Sequence, residues 1–361
     1  MSGKLRITHL DGLRGIAILW VILFHSYCRW AGLLEFPKIT KDVILFKYGF
    51  LGVELFFMIS GFVIFMTLDK SPNFIDYIKR RWLRLFPAML IVSVIIFSTA
   101  SFFYERPSGQ PTLLDLIPGL TFIKPSFLSI LFRQPVEGLE GTFWSLYVEV
   151  IFYFIIGLTY FLLGRKFCIS ALFLLLTIST MTFFGVHIGL TPKSLAIVLD
   201  SLGFWHYGWF IIGCIVYEQI HGRSSNLLYV ISLLSIIMTL IRLPFEQNYA
   251  WLQVQGVNWQ FLLINIAIIA LFVASFYSEK LQRLLSSRFL LLIGFVSYPL
   301  YLIHENILVS SLLKLQKSGI EQNIMLAMPV LIVAMLIGIS YLIAKFAEPY
   351  LRQRLKPLIL K

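Results

Sequence analysis

Apolar runs separated by short charged or turn-forming segments fill the chain from end to end. A helix that crosses a bilayer needs roughly 20 mostly apolar residues. About ten runs approach that length: 13–30, 46–68, 82–104, 143–163, 167–185, 195–219, 227–243, 259–277, 289–313 and 325–347. The pattern predicts an all-α, polytopic membrane protein with about ten transmembrane helices. The first run does not read as a cleavable signal, because aromatic residues follow it and charged and polar groups interrupt it. A further stretch, 113–132, is apolar enough to suggest an eleventh span, but it carries Asp115, Pro118, Lys124 and Pro125. It reads instead as an interfacial or re-entrant piece of a long outer loop, 105–142. Such loops carry function or simply cover helix ends.

The basic residues orient these spans. With the N-terminus inside, the short inner segments collect most of the Lys and Arg, among them Lys4, Arg6, Arg80, Arg81, Arg84, Arg165, Lys166, Arg283 and Arg288. Counting 113–132 as a span would push Arg165, Lys166, Arg283 and Arg288 outside. Both termini are therefore expected in the cytoplasm. No internal repeat or linker divides the chain, and the tail after Ala347 is too short to fold alone. The expected organisation is one transmembrane domain over 1–361 with no fused soluble domain.

Composition narrows the class further. The 361 residues are 58% hydrophobic and 13% charged, where soluble chains are about 25% charged. Disorder, a disulfide scaffold and a water-soluble enzyme are excluded. The net charge of +12, from 30 Lys+Arg against 18 Asp+Glu, marks cytoplasmic loops rather than a nucleic-acid partner. Cys28, Cys168 and Cys214 form no CxxC pair. They are expected as small packing residues, and no metal site is suggested.

Ionisable groups inside spans are costly and tend to mark function. Asp11, Arg14, Arg81, Arg84, Lys345 and Glu348 fall near inner edges, whereas His25, Glu54, Glu149 and His304 fall in outer halves. Arg14 and His25 are eleven residues apart, about three turns, which puts them on one helix face roughly 16 Å apart. His25 is expected about 8 Å below the outer end of its span and His304 about 14 Å below the end of its own. A lone His or Glu in a membrane helix also has an ordinary reading, a hydrogen bond to a neighbouring helix. Arg81 and Arg84 have one too, as topology anchors. Pro87 after them suggests a bend where the third span begins. Histidine is the usual general base near neutral pH, and a carboxylate can orient it. Arginines at an inner mouth suit a phosphate-rich cytoplasmic ligand such as coenzyme A. No P-loop or dinucleotide glycine pattern occurs.

The motifs, taken in order, carry a family resemblance. They are His9-Leu10-Asp11-Gly12-Leu13-Arg14 with His25 eleven residues further on, Gly52-Val53-Glu54-Leu55-Phe56-Phe57, Arg81-Trp82-Leu83-Arg84-Leu85-Phe86-Pro87, Trp144-Ser145-Leu146-Tyr147-Val148-Glu149, and Ser297-Tyr298-Pro299-Leu300-Tyr301-Leu302-Ile303-His304. Glu348-Pro349 matches the family's ending weakly. Together they resemble the membrane acyltransferase type 3 family of O-acyltransferases. Two departures stand out. Glu54 sits where many relatives carry Asp, and the periplasmic esterase-like domain fused to some relatives has no counterpart here.

The resemblance implies His25 as the essential histidine and Glu149 as a carboxylate that orients it. It implies Arg14, Arg81 and Arg84 as holders of the acyl donor, with Asp11, Glu54, Trp144, Ser145, Tyr298 and His304 in support. It also implies acyl transfer from cytoplasmic acyl-CoA, most simply acetyl-CoA, which acts as co-substrate with no permanently bound cofactor. The acceptor would be a hydroxyl of a carbohydrate, lipid-linked being one form, at a bacterial inner membrane. The same interior charges also suit a transporter or flippase for an anionic lipid-linked glycan. A lipid-linked-sugar polymerase is a third reading.

Overall fold

A computed structural model describes residues 7–36, 40, 42–242 and 259–360. Lys4 and Arg6, which enter the charge argument, lie outside the described residues. Every regular element among those described is helical. In chain order they include α1 (Thr8–Tyr27), α2 (Gly52–Leu68), α3 (Phe74–Thr99), α4 (Leu116–Thr121), α5 (Pro125–Phe132), α6 (Trp144–Leu162), α7 (Cys168–His187), α8 (Lys193–Ser201), α9 (Tyr207–Ile220) and α10 (Asn226–Arg242). They continue with α11 (Trp259–Tyr277), α12 (Glu279–Leu285), α13 (Arg288–Lys317), α14 (Gln322–Leu342) and α15 (Glu348–Ile359), the last joined to α14 by a π turn at Ile343–Ala347.

Each apolar run corresponds to a helix. Among the described residues, eight helical segments are long and apolar enough to cross a membrane, and α8 with α9 makes a ninth if the pair is one span. That sixth run is bent by 60°. The break falls at Gly203, whose φ of +74° suits glycine. The seventh run, α10, is a shorter apolar helix of 17 residues. The 113–132 stretch does not form a span. It folds as a 3-10 turn, Leu113–Asp115, followed by α4 and α5. Phe122 in the left-handed region ends α4, and Pro125 starts α5. The Asp115 carboxylate then ties the loop together. It accepts the Thr112 N–H at 2.7 Å and the Glu137 N–H at 2.7 Å.

The chain packs as two compact units. One comprises Met1–Val53, Trp82–Tyr147 and Ser278–Lys361, the other Glu54–Arg81 and Val148–Tyr277. In lipid no hydrophobic force draws helices together, so close backbone approach through small residues does much of the work. In the first unit a Cβ on Gly12 would lie 1.8 Å from the Leu285 carbonyl oxygen, and one on Gly294 would lie 1.9 Å from that of Asp11. Only glycine lets α1 approach α12 and α13 this closely. The second unit has a reciprocal crossing, with Gly61 of α2 against the Phe210 carbonyl and Gly213 of α9 against that of Met58.

Polar side chains tie the helix ends of the second unit. Arg165, before α7, donates to Glu218 near the end of α9 at 2.6 and 2.9 Å, and also to Asp69, just past α2. Arg223 donates to the other Glu218 oxygen at 2.7 Å. At the opposite ends of the helices Arg242 of α10, fully buried, donates to Ser179 of α7 at 2.9 Å and to Asp200 of α8.

Gly294→Val overpacks the α1–α13 crossing at a cost of about 1–3 kcal/mol. The purified protein is expected to melt about 2–8 °C lower. Gly338→Val, where a Cβ meets nothing within 4 Å, serves as the comparison and is expected to melt within about 1 °C of wild type, as surface substitutions do. Equal melting temperatures for the two variants would contradict the glycine contact.

Candidate active site

Two histidines predicted on separate helices meet in the first unit. The His25 and His304 rings pack edge to face with centroids 5.0 Å apart. The sequence places both in one outer slab, with Glu54 and Glu149, by depths measured from run ends. In fact α1 stops at Tyr27, so His25 lies in its last turn, about 3 Å from the end. The other helix, α13, continues to Lys317, leaving His304 about 20 Å from its end. Helix ends share no common plane here.

The His304 Nδ1 lies 2.9 Å from the Tyr301 carbonyl oxygen. A carbonyl only accepts, so Nδ1 donates and Nε2 carries the lone pair of the neutral ring. That Nε2 is buried and has no hydrogen-bond partner among the described residues. The His25 Nδ1 lies 3.1 Å from Glu305 Oε1, off the N–H axis, a close polar contact rather than an aligned hydrogen bond. Glu305 therefore supplies the carboxylate against His25, the role the sequence reading gave to Glu149. Glu149 lies in the second unit, where its carboxylate accepts the hydroxyls of Ser60 and Tyr153. Both donors meet the same oxygen, Oε1.

The loop 105–142 is fastened to the same turn of α13. Asn306 donates its backbone N–H to Glu140 Oε2 at 3.0 Å and its side-chain amide to the Leu139 carbonyl at 2.9 Å. Asn306 Oδ1 accepts the Ser108 N–H at 3.1 Å. Arg106 also donates to the Leu139 carbonyl. Tyr301 donates to the Thr142 carbonyl at 2.8 Å, so Ser145 must donate to the Tyr301 oxygen, also at 2.8 Å. Burial, and after it the charge of Glu305, pushes the Glu140 carboxyl up to about 8, although Arg106 and the Asn306 N–H pull the other way. Burial lowers the Arg106 guanidinium from its ordinary value.

On α1, Arg14 donates to Asp11 at 2.9 Å. Arg84 is half-buried on α3. Pro87 lacks the N–H that would serve the Leu83 carbonyl four residues back. Arg352 of α15 supplies it, with Nε 3.2 Å from the Leu83 oxygen and Nη2 3.5 Å from that of Arg84. Tyr298 donates to the next carbonyl, Leu85, at 3.0 Å. So α3 runs unbroken through Pro87, where the sequence suggested a bend at its start. Arg81 lies in the second unit with its guanidinium 4.9 Å from the Tyr153 ring centroid and donating to the Thr67 hydroxyl. Glu54, also in the second unit, is buried in the first turn of α2, whereas Trp144 at the start of α6 is exposed.

Sequence reasoning missed Glu305, Glu140, Arg106 and Asn306. Glu305 could have been found, since it lies inside the run 289–313 beside His304. Glu140 and Asn306 meet across 166 residues, and Arg106 meets the Leu139 carbonyl across 33, separations that no local pattern carries. Arg106→Ala leaves the buried Leu139 carbonyl with one donor fewer, at about 1–3 kcal/mol. Tryptic cleavage at Arg133 in the purified protein is expected to accelerate about tenfold. Unaltered cleavage would show that Arg106 does not fasten the loop.

The comparisons with known proteins agree with the motifs. The sequence model of a family described as an acyltransferase domain matches residues 7–345. The O-acetyltransferase OatA of Staphylococcus aureus (strain NCTC 8325 / PS 47) is 24% identical over 335 residues, which cover 83% of this chain and 50% of that protein. A Bacillus subtilis (strain 168) protein named "Putative peptidoglycan O-acetyltransferase YrhL" is 26% identical over 340 residues, covering 84% of this chain and 49% of that one. The chain thus spans about half the length of the curated relatives it matches. No solved structure matches it. The histidine pair, the loop 105–142 and α3 all lie within the matched residues, while Arg352 lies beyond them. The chain belongs to the acyltransferase-domain family.

Proposed function

We propose that the chain is a multi-pass membrane O-acyltransferase that moves an acyl group, most simply acetyl, from cytoplasmic acyl-CoA to a hydroxyl of a carbohydrate. The observation that carries this reading is the contact of His25 with Glu305 beside His304, in a chain of an acyltransferase family. The names of the relatives OatA and YrhL support acetyl as the group, and that of YrhL supports peptidoglycan as one acceptor class.

With Nδ1 held against Glu305, Nε2 of His25 is the nitrogen left to meet a reactant. In this reading it takes the proton of the acceptor hydroxyl as that oxygen attacks the thioester carbonyl. The carbon–oxygen bond forms and the carbon–sulfur bond breaks. The proton passes from His25 to the departing thiolate, so none is released overall. Glu305 keeps the ring oriented and balances the imidazolium. In the covalent variant His25 accepts the acyl group first.

Arg14 and Arg84 offer guanidinium groups that match the donor's phosphates. Arg352 and Tyr298 hold the α3 backbone around Arg84. Arg81, enclosed by Thr67 and Tyr153, stiffens α3 rather than presenting its charge. The acceptor approaches from the outer side, over the loop 105–142, in the cytoplasmic membrane of a bacterium.

Inside-out membrane vesicles given radiolabelled acetyl-CoA test the reading. Wild type is expected to move label into glycan, and a correctly inserted His25→Ala protein to lose at least about 100-fold of that rate. Label retained on wild-type protein but not on His25→Ala would identify the covalent variant. Normal transfer by His25→Ala would overturn the assignment. Absence of both label and CoA binding in the wild type would overturn the donor and favour a transporter.

A further inference from the structure

Two buried carboxyls face each other across one stretch of backbone. Glu140, 2% exposed, closes the loop 105–142, and Glu305, 3% exposed, lies on α13. Glu140 Oε2 accepts the N–H of Asn306, the residue after Glu305. Glu305 Oε2 lies 2.9 Å from the place a Cβ on Gly141 would take, the residue after Glu140. So each carboxyl lies against the backbone that follows the other. Glu140 Oε1 and Glu305 Oε2 are both buried, and neither has a hydrogen-bond partner among the described residues.

The charges around this pair are few. His25 faces it from α1, Arg29 from the turn just after α1, His304 from α13, and Arg106 with Asp115 from the loop. The Arg106 guanidinium donates to the Leu139 carbonyl, and Arg29 lies over the Trp30 ring 5.0 Å from its centroid. Neither forms an ion pair with the two carboxyls among the described residues. Two enclosed carboxylates in such surroundings do not both ionise; the stable arrangement keeps one proton between them.

We propose that Glu140 is a positioning residue that shares one proton with Glu305, so that a single negative charge faces His25. The proposal rests on the reading of His25 as the reacting group. The proton resides on Glu140, whose carboxyl burial has pushed up to about 8. Below that pH one carboxylate orients the imidazole. Above it two negative charges face the ring, proton release from it slows, and transfer falls. The Gly141 position has the same requirement, since a side chain there would occupy the space of the Glu305 oxygen.

Infrared pH-difference spectra of the purified protein in lipid vesicles test the shared proton without using activity. Wild type is expected to show the carbonyl stretch of a protonated carboxyl that is lost as pH rises through about 8, and Glu140→Gln to lack it. A wild type without that band, or a Glu140→Gln protein that retains it, overturns the proposal.

Acetyl transfer against pH is the second readout, with both faces of the vesicles at the same pH. Wild type is expected to fall about tenfold per unit well above pH 8. Glu140→Gln is expected to keep at least about a third of the wild-type rate at pH 7 and to lose the alkaline fall. Glu140→Ala, which removes the acceptor for the Asn306 N–H, is expected to be slower at every pH. Transfer profiles for wild type and Glu140→Gln that superimpose would overturn the role at His25. The expected infrared band in a protein that transfers no acetyl would uphold the shared proton and overturn the acyltransferase reading instead.

Discussion

An ionisable group at bilayer depth costs about 3 kcal/mol on a helix facing lipid unless it finds a partner inside the bundle. Glu305 and His25 meet that constraint through each other, and much of the first unit follows from their contact. For it to form, α1 must approach α13 closely. Gly12 and Gly294 permit that approach by placing backbone against backbone. His304, one residue before Glu305, is thereby carried against the His25 ring. Two imidazoles and a carboxylate from two helices thus come together through helix packing alone.

Backbone hydrogen bonding sets the rest of the architecture, because lipid offers no substitute for water. Pro87 would leave the Leu83 carbonyl without its helical donor, and Arg352 from the far end of the chain fills that place. The loop 105–142 must satisfy its own groups, and it does so by docking on the turn that carries Glu305. Asn306 and Arg106 both serve the Leu139 carbonyl there. The loop is therefore attached to the histidine pair through the residue next to Glu305.

The apolar runs made the helical architecture legible, since a run of 20 apolar residues has few other solutions. Even the rejection of 113–132 as a span was readable, because Pro118 and Pro125 interrupt it. The break between α8 and α9 was not, because it depends on the left-handed backbone at Gly203. Histidine spacing pointed to His25 and His304 as members of the site, but not to their contact. Helix rise fixes separation along one helix, whereas α1 and α13 are offset by how far each runs past the contact. Glu149 looked like the partner of His25 because its motif carries the strongest polar cluster. Its carboxylate is engaged instead by Ser60 and Tyr153, and Glu305, in plain view beside His304, takes the imidazole. Glu140 gave no local signal, since its partner at Asn306 is 166 residues away.

The pairing of His25 with Glu305 is tested most directly by the steady-state kinetics of Glu305→Gln with acetyl-CoA. The amide keeps the shape of the side chain and removes the charge that orients the ring. If Glu305 acts through His25, kcat is expected to fall by about 100-fold or more while KM for acetyl-CoA stays within about threefold. A Glu305→Gln protein with wild-type kcat, or one whose loss lies wholly in KM, would contradict the account.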